Sequence, residues 1–110
     1  MTVTVVNIIP RKQAEATQTE QYRAINCKTI IDKFTVTNTG SANETISVNL
    51  IADGGSAASS NLVLKARSIA PNETYSCPEL VGQVLESGGF ISTIAGSAVL
   101  TISASGREIT

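Results

Sequence analysis

The chain has 110 residues, of which 42% are hydrophobic and 15% charged, with a formal net charge of −1 and no histidine. This length suits one domain spanning residues 1–110, and the eight scattered Lys and Arg residues lack the clustering that nucleic-acid binding requires. No apolar run approaches the roughly 20 residues of a membrane-spanning helix, so we expect neither nucleic acid nor a membrane as a partner.

The first segment alternates Thr and Val and predicts a strand from Thr2 to Ile9, closed by Pro10 because proline cannot donate to a ladder. The next stretch, 11–21, holds no Val, Ile, Leu or aromatic residue. It has no apolar stripe to dock on a core, so we predict a polar surface loop or, alternatively, an arm that contacts other subunits. Such an arm would use Arg11, Lys12, Glu15, Gln18 and Glu20.

After a short strand at Tyr22–Ile25, two runs rich in β-branched residues, KTIIDKFTVT and ETISVNLIA, flank the turn-forming cluster TNTGSAN. Phe34 and Val36 alternate with polar neighbours in the first run, as Ile46 and Val48 do in the second. The period of two and the Asn and Gly residues of the turn predict an antiparallel hairpin with one buried face.

The middle of the chain predicts a flexible loop at 53–61, a strand from Asn61 to Ile69, and a further short strand after the turn at 70–73. After this strand the spacing of the apolar residues changes from the period of two of a strand to the period of a helix. Pro78 suits a first helical turn, Gly88 and Gly89 suit a helix end, and one helical face between them is apolar. We therefore predict one short helix at 78–86, with its apolar face formed by Leu80, Val81, Val84 and Leu85.

The last segment predicts a second hairpin, with strands at 90–94 and 98–104 around Gly96 and Ser97. The whole pattern amounts to about seven or eight short strands, with turn signals about every 8–12 residues. It predicts an all-β fold, an antiparallel β-sandwich with one short helix. Jelly-roll and Ig-like topologies both satisfy it.

Catalytic chemistry is not predicted. Without histidine, no Ser-His-Asp triad can form, and Cys27 and Cys77 lack the spacing of a zinc or redox motif. We expect no enzymatic activity, no cofactor and no metal, and two free thiols in preference to a disulfide. Asp32 shares the inward parity of Phe34, which predicts a bulge or an ion partner such as Lys28 or Arg107.

Three stretches carry a resemblance to a known class of proteins: FTVTNTGSANETISVNLI, SIAPNETYSCPELVGQVLESGGFI and VLTISASGREIT. With them the chain resembles small β-sandwich virion proteins encoded in the structural gene clusters of tailed bacteriophages. In that family a strand ending in an Asn-Thr turn leads to an alternating strand, and the chain closes near Ser-Gly-x-Glu-Ile. The likeness covers roughly residues 28–110.

The resemblance implies a structural role in a symmetric assembly: a capsid decoration or cement protein, or a head–tail or tail accessory. The expected partners are other virion proteins, such as major capsid or tail subunits, and further copies of the chain in a homo-oligomer. The expected location is the virion, assembled in the bacterial host cytoplasm. The alternative is a carbohydrate- or receptor-binding module of a fibre, which an exposed Tyr cluster beside Asp or Asn would favour.

Overall fold

The computed structural model describes all 110 residues, and β-strands dominate it. Two antiparallel sheets pack face to face, as the sequence predicts for a β-sandwich. The one helical element is a 3₁₀ turn at Ser59–Asn61. The nine strands are β1 (Val3–Gln13), β2 (Thr19–Arg23), β3 (Lys28–Asn38), β4 (Glu44–Ile51), β5 (Leu62–Ile69), β6 (Thr74–Tyr75), β7 (Val84–Leu85), β8 (Phe90–Ala95) and β9 (Leu100–Ile109).

The strand order decides between the two topologies that the sequence leaves open. Sheet A has the order β1-β9-β3-β6, with β7 also paired to β3, and sheet B has the order β2-β8-β4-β5. Because β6 and β7 pair with opposite halves of β3, they act as one interrupted edge strand. The first two strands lie in different sheets, whereas they share a sheet in an Ig-like sandwich. The order is that of a jelly roll.

The core lies between the inward faces of the two sheets and confirms the predicted period of two. Phe34 and Val36 from β3 and Ile46 and Val48 from β4 are fully buried, while Thr35 lies on the outer face of sheet A. The same alternation continues in β9, where inward Leu100, Ile102 and Ala104 are buried. The other large side chains with no exposure above 2% are Ile9, Ile31, Ile51, Ile69, Leu80 and Ile91.

The two predicted hairpins are wrong in their pairing. β3 and β4 lie in different sheets, and so do β8 and β9, so each connection crosses the sandwich from one sheet to the other. Alternation specifies which face of a strand is buried, but it does not specify the strand's neighbour. Turn residues such as Gly40 and Gly96 serve a connection between sheets as well as a hairpin.

The predicted helix at 78–86 is also wrong. Leu80 and Leu85 are buried, but Val81 and Val84 are half exposed, and Gly82 has a left-handed backbone with φ of +85°. The segment instead follows the edge of β3: the Gly82 N–H donates to the Ile31 carbonyl at 2.7 Å, and the Ile31 N–H donates to the Gln83 carbonyl at 2.9 Å. A helix would leave the backbone N–H and C=O of Ile31 without hydrogen-bond partners, and the free-energy cost of that loss exceeds the local preference for a helix.

The first strand does not stop at Pro10 as predicted. β1 continues to Gln13 and forms an edge of sheet A. Proline is tolerated in an edge strand because no neighbouring strand lies on its open side to require an N–H donor. Its register against β9 shifts between Val6 and Ile9, and again between Ile9 and Lys12. These two irregularities bend the second half of the strand, and the first half stays regular.

The core assignment makes a testable prediction about stability. Phe34→Ala should lower the free energy of unfolding by about 3–5 kcal/mol, because it empties a fully buried aromatic site. Thr35→Ala, which changes the outer face of the same strand, should lower it by less than about 1 kcal/mol. Urea denaturation of both variants measures the difference, and equal losses would contradict the register of β3.

Candidate interaction surface

The residues predicted to form a contact arm are held by the chain's own domain. Arg11 and Lys12 belong to β1, Glu20 belongs to β2, and Glu15 and Gln18 lie in the short connection between these strands. Within that connection Ala14 is fully buried. The segment is therefore not a free arm.

Hydrogen bonds replace the apolar contacts that the segment lacks. The Ala14 N–H donates to the Leu100 carbonyl at 2.8 Å, and the Ala95 N–H donates to the Glu15 carbonyl at 3.0 Å. The Glu15 carboxylate accepts from Lys12 Nζ at 2.8 Å and from Gln21 Nε2 at 2.8 Å. These two bonds hold the pKa of Glu15 below its usual value. Composition alone cannot reveal this kind of anchoring.

The other predicted contact residues separate onto different surfaces. Gln18 reaches over the outer face of sheet B, where its Nε2 donates to Ser92 Oγ at 2.7 Å. Beside it, Asn49 Nδ2 donates to Asn61 Oδ1 at 2.6 Å, and both Asn49 and Ser92 are buried. Glu20 forms an ion pair with Arg23 at 2.7 Å. The structure thus brings Lys12 and Glu15 together and leaves Gln18 and Glu20 in other contacts.

The outer face of sheet A carries an exposed apolar patch that sequence reasoning missed. Val5 is 79% exposed, and Val3 and Val84 are each 49% exposed. Across the sheet, one row of neighbours runs from Val5 of β1 through Arg107 and Ile30 to Val84 of β7. In the next row Val3 lies opposite Ile109. We call this surface the valine face; its residues are Val3, Val5, Ile30, Val84 and Ile109.

Two ion pairs lie in and beside the valine face. The Arg107 guanidinium donates through Nη2 and Nε to the Asp32 carboxylate at 2.9 and 3.0 Å. The register of β3 shifts between Ile31 and Lys33, which turns Asp32 outward, so the bulge and the Arg107 partner predicted for Asp32 are both confirmed. Lys28 and Glu86 form a longer pair at 3.5 Å. Arg107 lies between Val5 and Ile30 in the row described above, so the face combines apolar side chains with one ion pair in its middle.

A small polar cluster lies behind the valine face, between the two sheets. The Tyr22 hydroxyl contacts Thr29 Oγ1 at 2.7 Å and donates to the Glu108 carboxylate. Burial, then the bond to Glu108, raises the pKa of Tyr22 well above its ordinary value. Cys27 lies next to the cluster, with its Sγ 3.6 Å from Thr29 Oγ1.

The chemical groups considered in the sequence lie apart from one another. Both cysteines are free thiols and buried, and burial raises the pKa of Cys77 to about 12. No group of three or more His, Cys, Asp or Glu side chains is placed to hold a metal ion. None of the helical segments has the length and apolar character needed to cross a bilayer. The Tyr22 hydroxyl lies between the two sheets, and Tyr75 lies in β6 against Arg67, so the two tyrosines form no cluster.

Comparison of the chain with known protein families, with curated proteins and with solved structures finds no match. Any function must therefore be inferred from the surface of the molecule. The strongest features of that surface are the valine face and the strand edge that borders it at β1.

The Tyr22 cluster makes a prediction about alkaline stability. Since folding raises the pKa of Tyr22 above its ordinary value of 10, the unfolded chain releases this proton first as the pH rises. The stabilisation is complete below pH 10 and is lost as the pH climbs towards the folded pKa. Urea denaturation at several pH values from 8 to 11 should show a decline in the free energy of unfolding, to which the raised pKa of buried Cys77 also contributes, so the Tyr22 share is the difference between the parent and a Tyr22 variant.

The matched variants are Tyr22→Phe and Tyr75→Phe. Tyr22→Phe should be less stable at pH 8, because Glu108 loses a donor, and should show a flatter decline above pH 10. Tyr75→Phe, which alters an exposed bond to Glu79, should keep most of the decline. A Tyr22→Phe variant with the same alkaline slope as the parent would contradict the assignment.

Proposed function

We propose that the protein is a non-enzymatic structural subunit of a tailed-bacteriophage virion that binds other capsid or tail subunits. Its place would be that of a capsid decoration or cement protein, or of a head–tail or tail accessory, present in several copies. The observation that carries the proposal is the valine face, a largely apolar surface on the outside of sheet A whose central Arg107 is paired with Asp32.

The energetics suit docking to a large partner. Large exposed apolar patches on a protein surface often mark interaction sites. Burying the exposed parts of Val3, Val5 and Val84 would contribute on the order of 1 kcal/mol each, from about 25 cal/mol per Å² of apolar surface. One such contact is weak. In a symmetric particle many copies act together, and avidity multiplies the effect.

The stretches that resemble phage virion proteins contribute to the outer face of sheet A, and two of them supply Val84 and Ile109 of the valine face. FTVTNTGSANETISVNLI contains the second part of β3, residues 34–38, and all of β4, and VLTISASGREIT contains β9. β3 and β9 are neighbours, and Thr35 lies opposite Ser103, as Thr37 lies opposite Thr101. The residues that motivate the phage assignment therefore also form the middle of the outer face of sheet A, with a Thr and Ser half beside the apolar half.

The alternative, a carbohydrate- or receptor-binding module of a fibre, lacks its distinguishing feature. An exposed Tyr cluster beside Asp or Asn would favour such a module. Tyr22 and Tyr75 instead lie in different sheets, and their hydroxyls donate hydrogen bonds to Glu108 and Glu79. The virion location and the capsid or tail partners are parts of the same proposal, so one experiment addresses them together.

The experiment compares two lysine variants of the same face. Val84→Lys places a charge in the apolar half, far from the β1 edge, and Thr35→Lys places one in the Thr and Ser half. Each variant replaces the parent chain in the source genome, and its copy number in purified particles is measured by quantitative mass spectrometry.

We expect the parent and Thr35→Lys to be present in particles and Val84→Lys to be depleted at least tenfold, because a lysine would have to be buried unpaired in the interface. Circular dichroism and thermal unfolding of the isolated variants establish that both are folded. A parent chain absent from purified particles would refute the virion role. Equal incorporation of the two variants would refute the valine face as the contact.

A further inference from the structure

The two sheets have four outer edges, and three of them are protected against pairing with another strand. β2 carries the Glu20–Arg23 ion pair and a register shift at Gln21. β5 carries Lys65 and Arg67 around Ala66, whose φ is +44°, and its register against β4 shifts twice. The edge formed by β6 and β7 is broken into two dipeptides. Charges, bulges and interruptions are the usual means by which proteins block edge-to-edge association.

The fourth edge, β1, is protected along only half of its length. Its second half has two register shifts, Pro10, and the charges of Arg11 and Lys12. Its first half, Thr2 to Val6, pairs with β9 in unbroken register and contains no charge, no proline and no bulge. This half also borders the valine face through Val3 and Val5.

The backbone of this half points usable groups at solvent. Thr2 and Thr110 exchange both backbone hydrogen bonds, at 3.1 and 2.9 Å. In an antiparallel ladder such pairs alternate with pairs that exchange none, so the N–H and C=O groups of Val3 and Val5 point away from β9. Each copy thus presents two donors and two acceptors, spaced as in a sheet, along an open edge.

We propose that this edge pairs with the same edge of a second copy, antiparallel about a two-fold axis at Thr4. Val3 then lies opposite Val5 of the second copy, and four backbone hydrogen bonds join the strands. The segment Val3-Thr4-Val5 has the same sequence in both directions, so the two-fold register places valine against valine twice. The two four-column A sheets would become one continuous eight-column sheet, with both valine faces on the same side.

The second copy is favoured as occupant by charge as well as by register. No ionisable side chain lies between Thr2 and Val6, and Arg107 beside Val5 is held by Asp32, so two copies can approach without like-charge repulsion. This pairing rests on the proposed function, because it supplies the contact between copies in a multi-copy assembly. The paired segment is short, so association of the isolated protein should be weak and concentration-dependent.

The first test is the dissociation constant of the full chain, measured by sedimentation equilibrium up to millimolar concentration. The parent should form a dimer. Val5→Lys should raise the dissociation constant about tenfold or more, because it replaces both valine contacts of the register with lysine–valine contacts. Thr35→Lys, which adds the same charge to the middle of the outer face, should leave the constant within about twofold of the parent. Thermal unfolding shows that both variants fold.

The second test fixes the register. In a mixture of Val5→Lys and Val3→Glu chains, the proposed pairing places the introduced lysine of one chain opposite the introduced glutamate of the other. The mixed dimer should therefore form more tightly than either variant with itself. A register shifted by one pair, centred on Val5, would place neither charge opposite the other. No gain on mixing would overturn the Thr4 register.

The outcomes separate this pairing from the virion role. A parent that stays monomeric at every concentration but enters particles overturns the pairing and leaves the virion role intact. If such a monomer loses particle binding on Val5→Lys, Val5 contacts a virion partner as part of the valine face, and the pairing between copies is still overturned. A parent that dimerises through β1 but is absent from particles supports the pairing and refutes the virion role.

Discussion

The antiparallel pairing of β3 with β9 is the contact on which the rest of the structure depends. It runs from Lys28 opposite Ile109 to Asn38 opposite Leu100 and forms the middle of sheet A. Its inward side chains, Phe34 among them, supply much of the core, and its outward side chains form the Ser and Thr surface and part of the valine face. Both edges of the sheet attach to this pair, β1 through β9 and the interrupted β6–β7 edge through β3. A change in its register would exchange buried and exposed side chains throughout the sheet.

The sequence predicts which side chains are buried better than it predicts which strands are neighbours. Alternation correctly assigns Phe34, Val36 and Ile46 to the core, and parity correctly identifies Asp32 as the site of a bulge. Pairing depends on contacts between distant segments, and no local pattern encodes them. For the same reason the 78–86 segment misleads: its period is helical, but the hydrogen bonds offered by the edge of β3 decide its conformation.

The sequence shows which polar and apolar residues are available for the candidate surface, but it does not show which of them are exposed. The polar residues at 11–21 suggested an arm, yet backbone and amide hydrogen bonds tie them to their own domain. Val3 and Val5 look like core residues, since the same strand continues into buried Ile8 and Ile9. The register shift after Val6 lets Ile9 point inward although it shares the parity of Val3 and Val5, and this shift is a property of the assembled sheet. Apolar residues at both parities of one strand are the only local sign of that arrangement.

The pairing of β1 with β9 also has a consequence for the order of events at the ribosome. β1 is made early, but the strand that completes its ladder is the last of the nine to be synthesised. At roughly 5–20 residues per second, the nascent β1 spends on the order of several seconds without its partner. Sheet A therefore closes only after β9 has left the exit tunnel, and loop closure over most of the chain makes that step intrinsically slow. During this interval chaperones can bind the valine-rich strand. The yield of folded protein in the cell should therefore depend on them.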